Sequence, residues 1–213
     1  LFRSTEIYID ELNDYSSLQN KKIVAIDPGK CDLIYCVDNS NKEANEFRYS
    51  QDQRRKETKK KKYSKIQLEL KKEKIHGKTI IEWETELSKL NRKSLNITKF
   101  KEYIQKKSEI NGMLFKFYEK YIFRKLRLQS YRNTKKSEQK MLNNFKRIFG
   151  NEKEVVVCFG DYEQKQQLKY KEATKGKGMR TLFRKVGFQT YLVDEFRTSC
   201  RCSKCEIGIC VKN

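Results

Sequence analysis

Histidine is almost missing from this chain. Of 213 residues only His76 is a histidine, and it stands beside Gly77 in a lysine-rich stretch, where a solvated loop residue is expected. Catalysis built on a Ser/His/Asp or Cys/His arrangement therefore has no general base to draw on. Proline is equally scarce. Pro28 stands alone, so residues 50–149 contain none of the residue that most strongly interrupts helices. No apolar run approaches the ~18–20 residues that span a bilayer, so no membrane partner is expected. Leu1-Phe2-Arg3-Ser4 has neither a starting Met nor a signal-peptide pattern. The expectation is a piece of a longer chain, not secreted, working in the nucleus or cytoplasm.

Acidic residues are also in short supply. Against 28 Asp and Glu stand 49 Lys and Arg, a formal net charge of +21, which favours a polyanionic partner. With 12 Phe and 12 Tyr the chain is not a basic tail and can bury a core. Seven cysteines divide into two groups. Cys31, Cys36 and Cys158 lie in or beside strand-like segments, where a reduced thiol serves as a small hydrophobe. Cys200, Cys202, Cys205 and Cys210 crowd into eleven residues, which is metal-site spacing. A reducing compartment fits both groups.

Hydropathy patterning predicts an α/β organisation. Residues 1–20 read as a polar lead-in from a missing upstream region. Residues 21–50 hold a strand hairpin, Lys22 to Ile26 and Leu33 to Asp38, followed by a third strand, Glu46 to Tyr49. Residues 51–150 read as a basic helical insertion, with Thr98 as the cap of one helix and a helical stripe from Leu114 through Phe117, Tyr118, Tyr121 and Ile122 to Leu126. That stripe reads as helix–helix core. Residues 151–197 return to strand, helix and strand: Glu154 to Asp161, Met179 to Lys185, and Gln189 to Asp194. Residues 198–213 carry a cysteine knuckle.

Three apolar strands end in carboxylates: Asp27, Asp161 and the Asp194/Glu195 pair. Hard cations such as Mg²⁺ prefer oxygen ligands, and two-metal phosphodiester cleavage needs acids converging from several strands. Cys202-x-x-Cys205 has the spacing of a zinc ribbon. Arg54, Arg55, Lys59, Lys60, Lys61 and Lys62 form a basic run that opens a helix, and Lys175, Lys177 and Arg180 a second basic segment with glycines. Both are candidate nucleic-acid contacts, and a solvated face or mobile loop is the plain alternative.

Ala25-Ile26-Asp27-Pro28-Gly29, the ending Phe159-Gly160-Asp161-Tyr162, and Asp194-Glu195-Phe196-Arg197-Thr198-Ser199 before Cys202-x-x-Cys205 together resemble the RuvC-like nuclease of TnpB and Fanzor proteins, most closely the Fanzor branch of eukaryotes and giant viruses. The resemblance covers residues ~20–210. It implies an RNase H-like (RuvC) fold with a helical insertion and a partial C-terminal zinc ribbon. It also implies Mg²⁺-dependent DNA cleavage directed by a guide RNA, in the service of a transposable element. Asp27 matches the family's first catalytic aspartate, Glu195 its relocated glutamate, and Asp161 is the rival second carboxylate. Cys202 and Cys205 match the first zinc knuckle, with Cys200 and Cys210 as further ligand candidates. The family's second cysteine pair and third catalytic aspartate have no counterpart before Asn213. Two expectations therefore stand side by side: an RNA-guided DNA endonuclease, or a basic nucleic-acid-binding remnant without catalysis.

Overall fold

A computed structural model describes residues 6–40, 44–161 and 175–195. Along the chain come β1 (Lys22–Asp27), β2 (Asp32–Asp38), β3 (Glu46–Ser50), α1 (Gln51–Glu57), α2 (Lys60–Leu70), β4 (Lys74–Ile75), β5 (Lys78–Thr79), α3 (Ile80–Ser88), α4 (Ile97–Tyr118), α5 (Tyr121–Phe149), β6 (Val155–Gly160), α6 (Gly176–Val186) and β7 (Gln189–Val193). They fall into two compact units. The first comprises residues 1–54 and 138–213, the second residues 55–137.

The first unit is α/β. Its five-stranded mixed sheet runs β3-β2-β1-β6-β7. The meander β1-β2-β3 is antiparallel, whereas β6 runs parallel to β1 and β7 parallel to β6. The near-continuous apolar run of β6, buried on both faces, is what a parallel central strand requires. On one face Val24, Ile26, Val157 and Phe159 meet Phe145 and Phe149 of α5 and Met179 and Phe183 of α6. Phe145 sits edge-on to Phe183 and Phe188, with ring centroids 4.9 and 5.4 Å apart, a favoured aromatic geometry. On the other face Val156 and Cys158 are covered by Leu18, with Ile9 and Leu12 packed alongside.

Those last residues belong to the stretch read from the sequence as an N-terminal lead-in. Residues 6–20 are part of the sheet unit. Tyr8 bridges Leu192 in parallel, the Leu192 N–H donates to the Ile7 carbonyl at 3.0 Å, and two short 3-10 turns (Ile9–Glu11 and Ser16–Leu18) cap the second face. The helical insertion is narrower than predicted. Met141, Leu142, Phe145 and Phe149 give the end of α5 to the sheet's core, so the second unit closes at residue 137 rather than 150. Cys36 and Cys158 are buried as expected, and loss of hydration pushes the Cys158 thiol up to about 11. Cys31, by contrast, is exposed.

Two buried ionic groups hold this unit. Arg180, only 1% exposed, donates from Nε and Nη2 to the Glu6 carboxylate at 3.0 and 2.8 Å, and Arg184 adds a third bond at 3.2 Å. Asp38 accepts from the Asn45 backbone and side-chain amides at 2.9 and 2.7 Å and from the Ser40 N–H at 3.2 Å, closing the connection from β2 to β3. Burial alone would raise the Asp38 carboxyl, but those hydrogen bonds outweigh it and hold it well below the usual carboxylate range.

In the second unit, Asn96 rather than Thr98 caps α4. Its side-chain oxygen accepts from the Thr98 and Lys99 N–H groups at 2.9 and 3.3 Å, and an amide acceptor one residue outside the helix is well suited to this task. The aromatic stripe is divided, because the chain turns between Tyr118 and Tyr121. Phe117 and Leu126 are buried as core, while Tyr121 is exposed. A capping box at Thr79 and Glu82 starts α3. His76 and Gly77, with φ of 50° and 79°, make the two-residue turn between β4 and β5. A hairpin turn of this kind needs positive φ at both positions. His76 is exposed there, in keeping with its expected role.

Candidate active site

The C-terminal ends of β1, β6 and β7 share one rim of the sheet because all three strands point the same way. Their register decides which carboxylates meet. Ile26 pairs with Phe159, so the next step sets Asp27 beside Gly160. Gly160 in turn pairs with Val193. Successive side chains in a strand alternate between faces. Ile26, Phe159 and Leu192 enter the helix-covered core, whereas Val193 packs on the opposite face. Asp27, Gly160 and, two residues beyond Val193, Glu195 therefore belong to that opposite face. Asp161 and Asp194 fall on the other parity.

Side-chain positions agree. A Cβ built on Gly160 would lie 1.4 Å from Glu195 Oε1 and 2.5 Å from its carboxyl carbon. The Glu195 carboxylate thus occupies the place of a side chain at position 160, one strand over from Asp27. Neighbouring strands stand ~4.8 Å apart. Asp27 is exposed and, among the described residues, makes no side-chain hydrogen bond or ion pair. Tyr35 is its partner on β2, and Arg48 that of Tyr35 on β3. The row across this face therefore reads Arg48, Tyr35, Asp27, Gly160, Val193.

Asp161 is turned to a different task. Its Oδ2 accepts from the Tyr8 hydroxyl at 3.2 Å and its Oδ1 from the Glu195 N–H at 3.3 Å, while its own N–H continues the ladder to Val193 at 3.0 Å. Lost hydration, followed by the bond to Asp161, raises the Tyr8 phenol. Asp161 therefore anchors the backbone that carries Glu195. Gly160 and Tyr8 were not singled out from the sequence. A glycine inside a strand signals close approach of another group, and Phe159-Gly160-Asp161 offered that signal; nothing local marked Tyr8.

Mg²⁺ is compatible with the two carboxylates on the shared face, because it is commonly held by one or two carboxylates with water and substrate phosphate completing the shell. The bare α-carbon of Gly160 is the cradle that lets the Glu195 carboxylate lie over β6. Among the described residues no three His, Cys, Asp or Glu side chains gather at one point. Cys200, Cys202, Cys205 and Cys210, the expected zinc ligands, lie outside the described residues.

The predicted nucleic-acid contacts divide. Arg54 is mostly buried and paired with Glu138 at 3.4 Å, and Arg180 is sequestered by Glu6. Both basic side chains are engaged by carboxylates within the fold. Arg55 is half-buried in α1. Lys59, with φ of 56°, precedes α2, and Lys60, Lys61 and Lys62 form its exposed first turn, a location where the helix dipole disfavours cations. Lys177 is exposed at the start of α6, after Lys175. Among the described residues no helix is long and apolar enough to cross a membrane. No family model matches the sequence, and no curated protein matches it.

Proposed function

We propose that this chain carries an RNase H-like (RuvC) nuclease domain of the TnpB/Fanzor type, an RNA-guided, Mg²⁺-dependent DNA endonuclease of a transposable element. The observation that carries this reading is the seat of the Glu195 carboxylate on Gly160, one strand from Asp27 and on the same face. The sheet is compatible with it: an antiparallel three-strand meander extended by two parallel strands, in the order β3-β2-β1-β6-β7, brings the C-terminal ends of β1, β6 and β7 to one rim.

Asp27 and Glu195 are the residues that would hold Mg²⁺. The ion, when bound, would supply an activated water and stabilise the leaving oxygen of a phosphodiester. Gly160 leaves the space Glu195 needs, and Asp161 with Tyr8 fixes the backbone at Glu195. The exposed lysines at the start of α2, and Lys177, supply positive charge for phosphate backbones. Sequence in such systems is read mainly by base pairing to the guide.

A second reading, a nucleic-acid-binding protein without catalysis, is favoured by the pairing of only two carboxylates at this face among the described residues. One experiment separates them. The chain, purified with the RNA it retains, is incubated with plasmid DNA carrying the matching target, with and without Mg²⁺. Mg²⁺-dependent cleavage lost in both Asp27→Asn and Glu195→Gln is the expected result. Salt-sensitive DNA and RNA binding with no cleavage would select the second reading.

A further inference from the structure

The second unit contains a groove that shares no residue with the carboxylate rim. One face of α2 presents Lys60 and Tyr63, and one face of α5 presents Leu126, Arg127, Ser130 and Tyr131, at the three- and four-residue spacings that align side chains along a helix. The cavity between them measures about 640 Å³, within the range of sites for small organic groups. Leu126 is its buried floor. The Tyr63 hydroxyl is fixed by a bond from Asn133 Nδ2 at 2.9 Å. Tyr131 is 62% exposed, and the Lys135 ammonium lies 5.9 Å from its ring centroid.

The charge in this groove is one-sided. No carboxylate lines it. Lys71, at its far end, is neutralised by Glu84 at 2.7 Å, but among the described residues neither Lys60 nor Arg127 has a carboxylate partner. An open aromatic ring, two uncompensated cations and hydroxyl groups on one concave surface match the parts of an unpaired nucleotide: a base with a free π-face, a phosphate and a sugar. Duplex bases already stack on each other and offer no free face.

We propose that the α2–α5 groove binds an unpaired stretch of nucleic acid, with a base stacked on Tyr131 and the flanking phosphates held by Lys60 and Arg127. The proposal rests on the nucleic-acid reading above but not on the nuclease. It is tested with the full chain by fluorescence anisotropy, using labelled eight-nucleotide RNA and DNA oligomers, each with and without bases. Tyr131→Ala should weaken binding of a base-bearing oligomer roughly five- to a hundred-fold, the range of one lost base–aromatic stack. It should leave the abasic oligomer unchanged, and Tyr131→Trp should restore the loss. Because the ring is largely exposed, unfolding is not expected, and a thermal melt of the variant checks this. The effect in the RNA or the DNA arm supports the proposal and names the strand. Equal affinities of Tyr131→Ala and wild type in both arms, or equal losses with and without bases, overturn it. Cleavage is read separately on plasmid DNA, so failure of the groove and failure of the nuclease show in different measurements.

Discussion

The carboxylate of Glu195 stands where a side chain of Gly160 would stand, with Oε1 1.4 Å from the position of an added Cβ. Position 160 must therefore be bare for Glu195 to keep its place. The clashing atom is the end of a flexible side chain, so Gly160→Ala is expected to fold and to turn Glu195 away. Mn²⁺ affinity, followed by electron paramagnetic resonance, should fall ~10–100-fold, the usual effect of losing a supporting group around a metal, and Glu195→Gln should fall at least as far. Wild-type affinity in Gly160→Ala would remove Glu195 from the ion's shell.

Asp161 and Tyr8 should behave as positioning residues. Asp161→Ala deprives the Tyr8 hydroxyl and the Glu195 N–H of their acceptor, a loss of about 1–3 kcal/mol for groups left unsatisfied. Tyr8→Phe should cost about 1 kcal/mol and couple to it in a double-mutant cycle measured by urea unfolding. Mn²⁺ affinity should suffer less in Asp161→Ala than in Asp27→Ala. A larger loss in Asp161→Ala than in Glu195→Ala would exchange the roles of Asp161 and Glu195.

Glu6 makes stability depend on acid. Its hydrogen bond from Arg180, opposed by burial and reinforced by both arginine charges, holds its folded carboxyl below the ordinary value. The stabilisation is therefore fully present above the unfolded carboxyl's titration and is lost as pH falls through the lower folded value. Glu6→Gln should destabilise by about 3 kcal/mol at neutral pH, because the buried Arg180 loses the carboxylate that accepts its Nε and Nη2 bonds. The gap to wild type in urea unfolding should close as pH falls below ~4. Asp38, whose carboxyl is also held low, should keep contributing further into acid.

Thiol labelling should divide the cysteines of the sheet. Cys158 is buried and its thiol is pushed up to about 11, and burial also raises Cys36; with so little thiolate, both should resist iodoacetamide at pH 8 until the chain unfolds. Cys31, exposed, should label in the native state. Peptide mapping by mass spectrometry reads all three.

The strands were legible because their residues announce them: Ile23-Val24-Ala25-Ile26, Leu33 to Val37 and Val155 to Phe159 are apolar runs bounded by turn residues. The rim carboxylates were legible for the same reason, since each follows such a run. What escaped depended on partners distant in the chain. Arg180 looked like a phosphate ligand because Glu6, which buries it, is far away in sequence. Tyr8 looked like lead-in because its partners Leu192 and Asp161 lie near the other end. The predicted insertion ran to residue 150 because α5 is one continuous helix, and periodicity cannot tell which core a given turn serves. The cap at Asn96 was missed by two residues, since Thr98 is an equally good capping type and only the backbone decides.

The bond from Ser137 Oγ to Glu57 Oε2, at 2.5 Å, bears on the order in which the chain assembles. β1 must find β6 across the whole intervening segment, Lys22 pairing with Val155, and such non-local pairing slows folding. Glu57 lies two residues after the start of the second unit and Ser137 is its last residue. Once that unit folds, their bond ties its two ends together and much of the loop between β1 and β6 is already closed. Since closure entropy depends on the length of chain still free, prior folding of the second unit is expected to shorten the closure that pairing β1 with β6 requires. Cutting the chain within residues 55–137 should then slow refolding of the sheet far more than it changes the sheet's final stability.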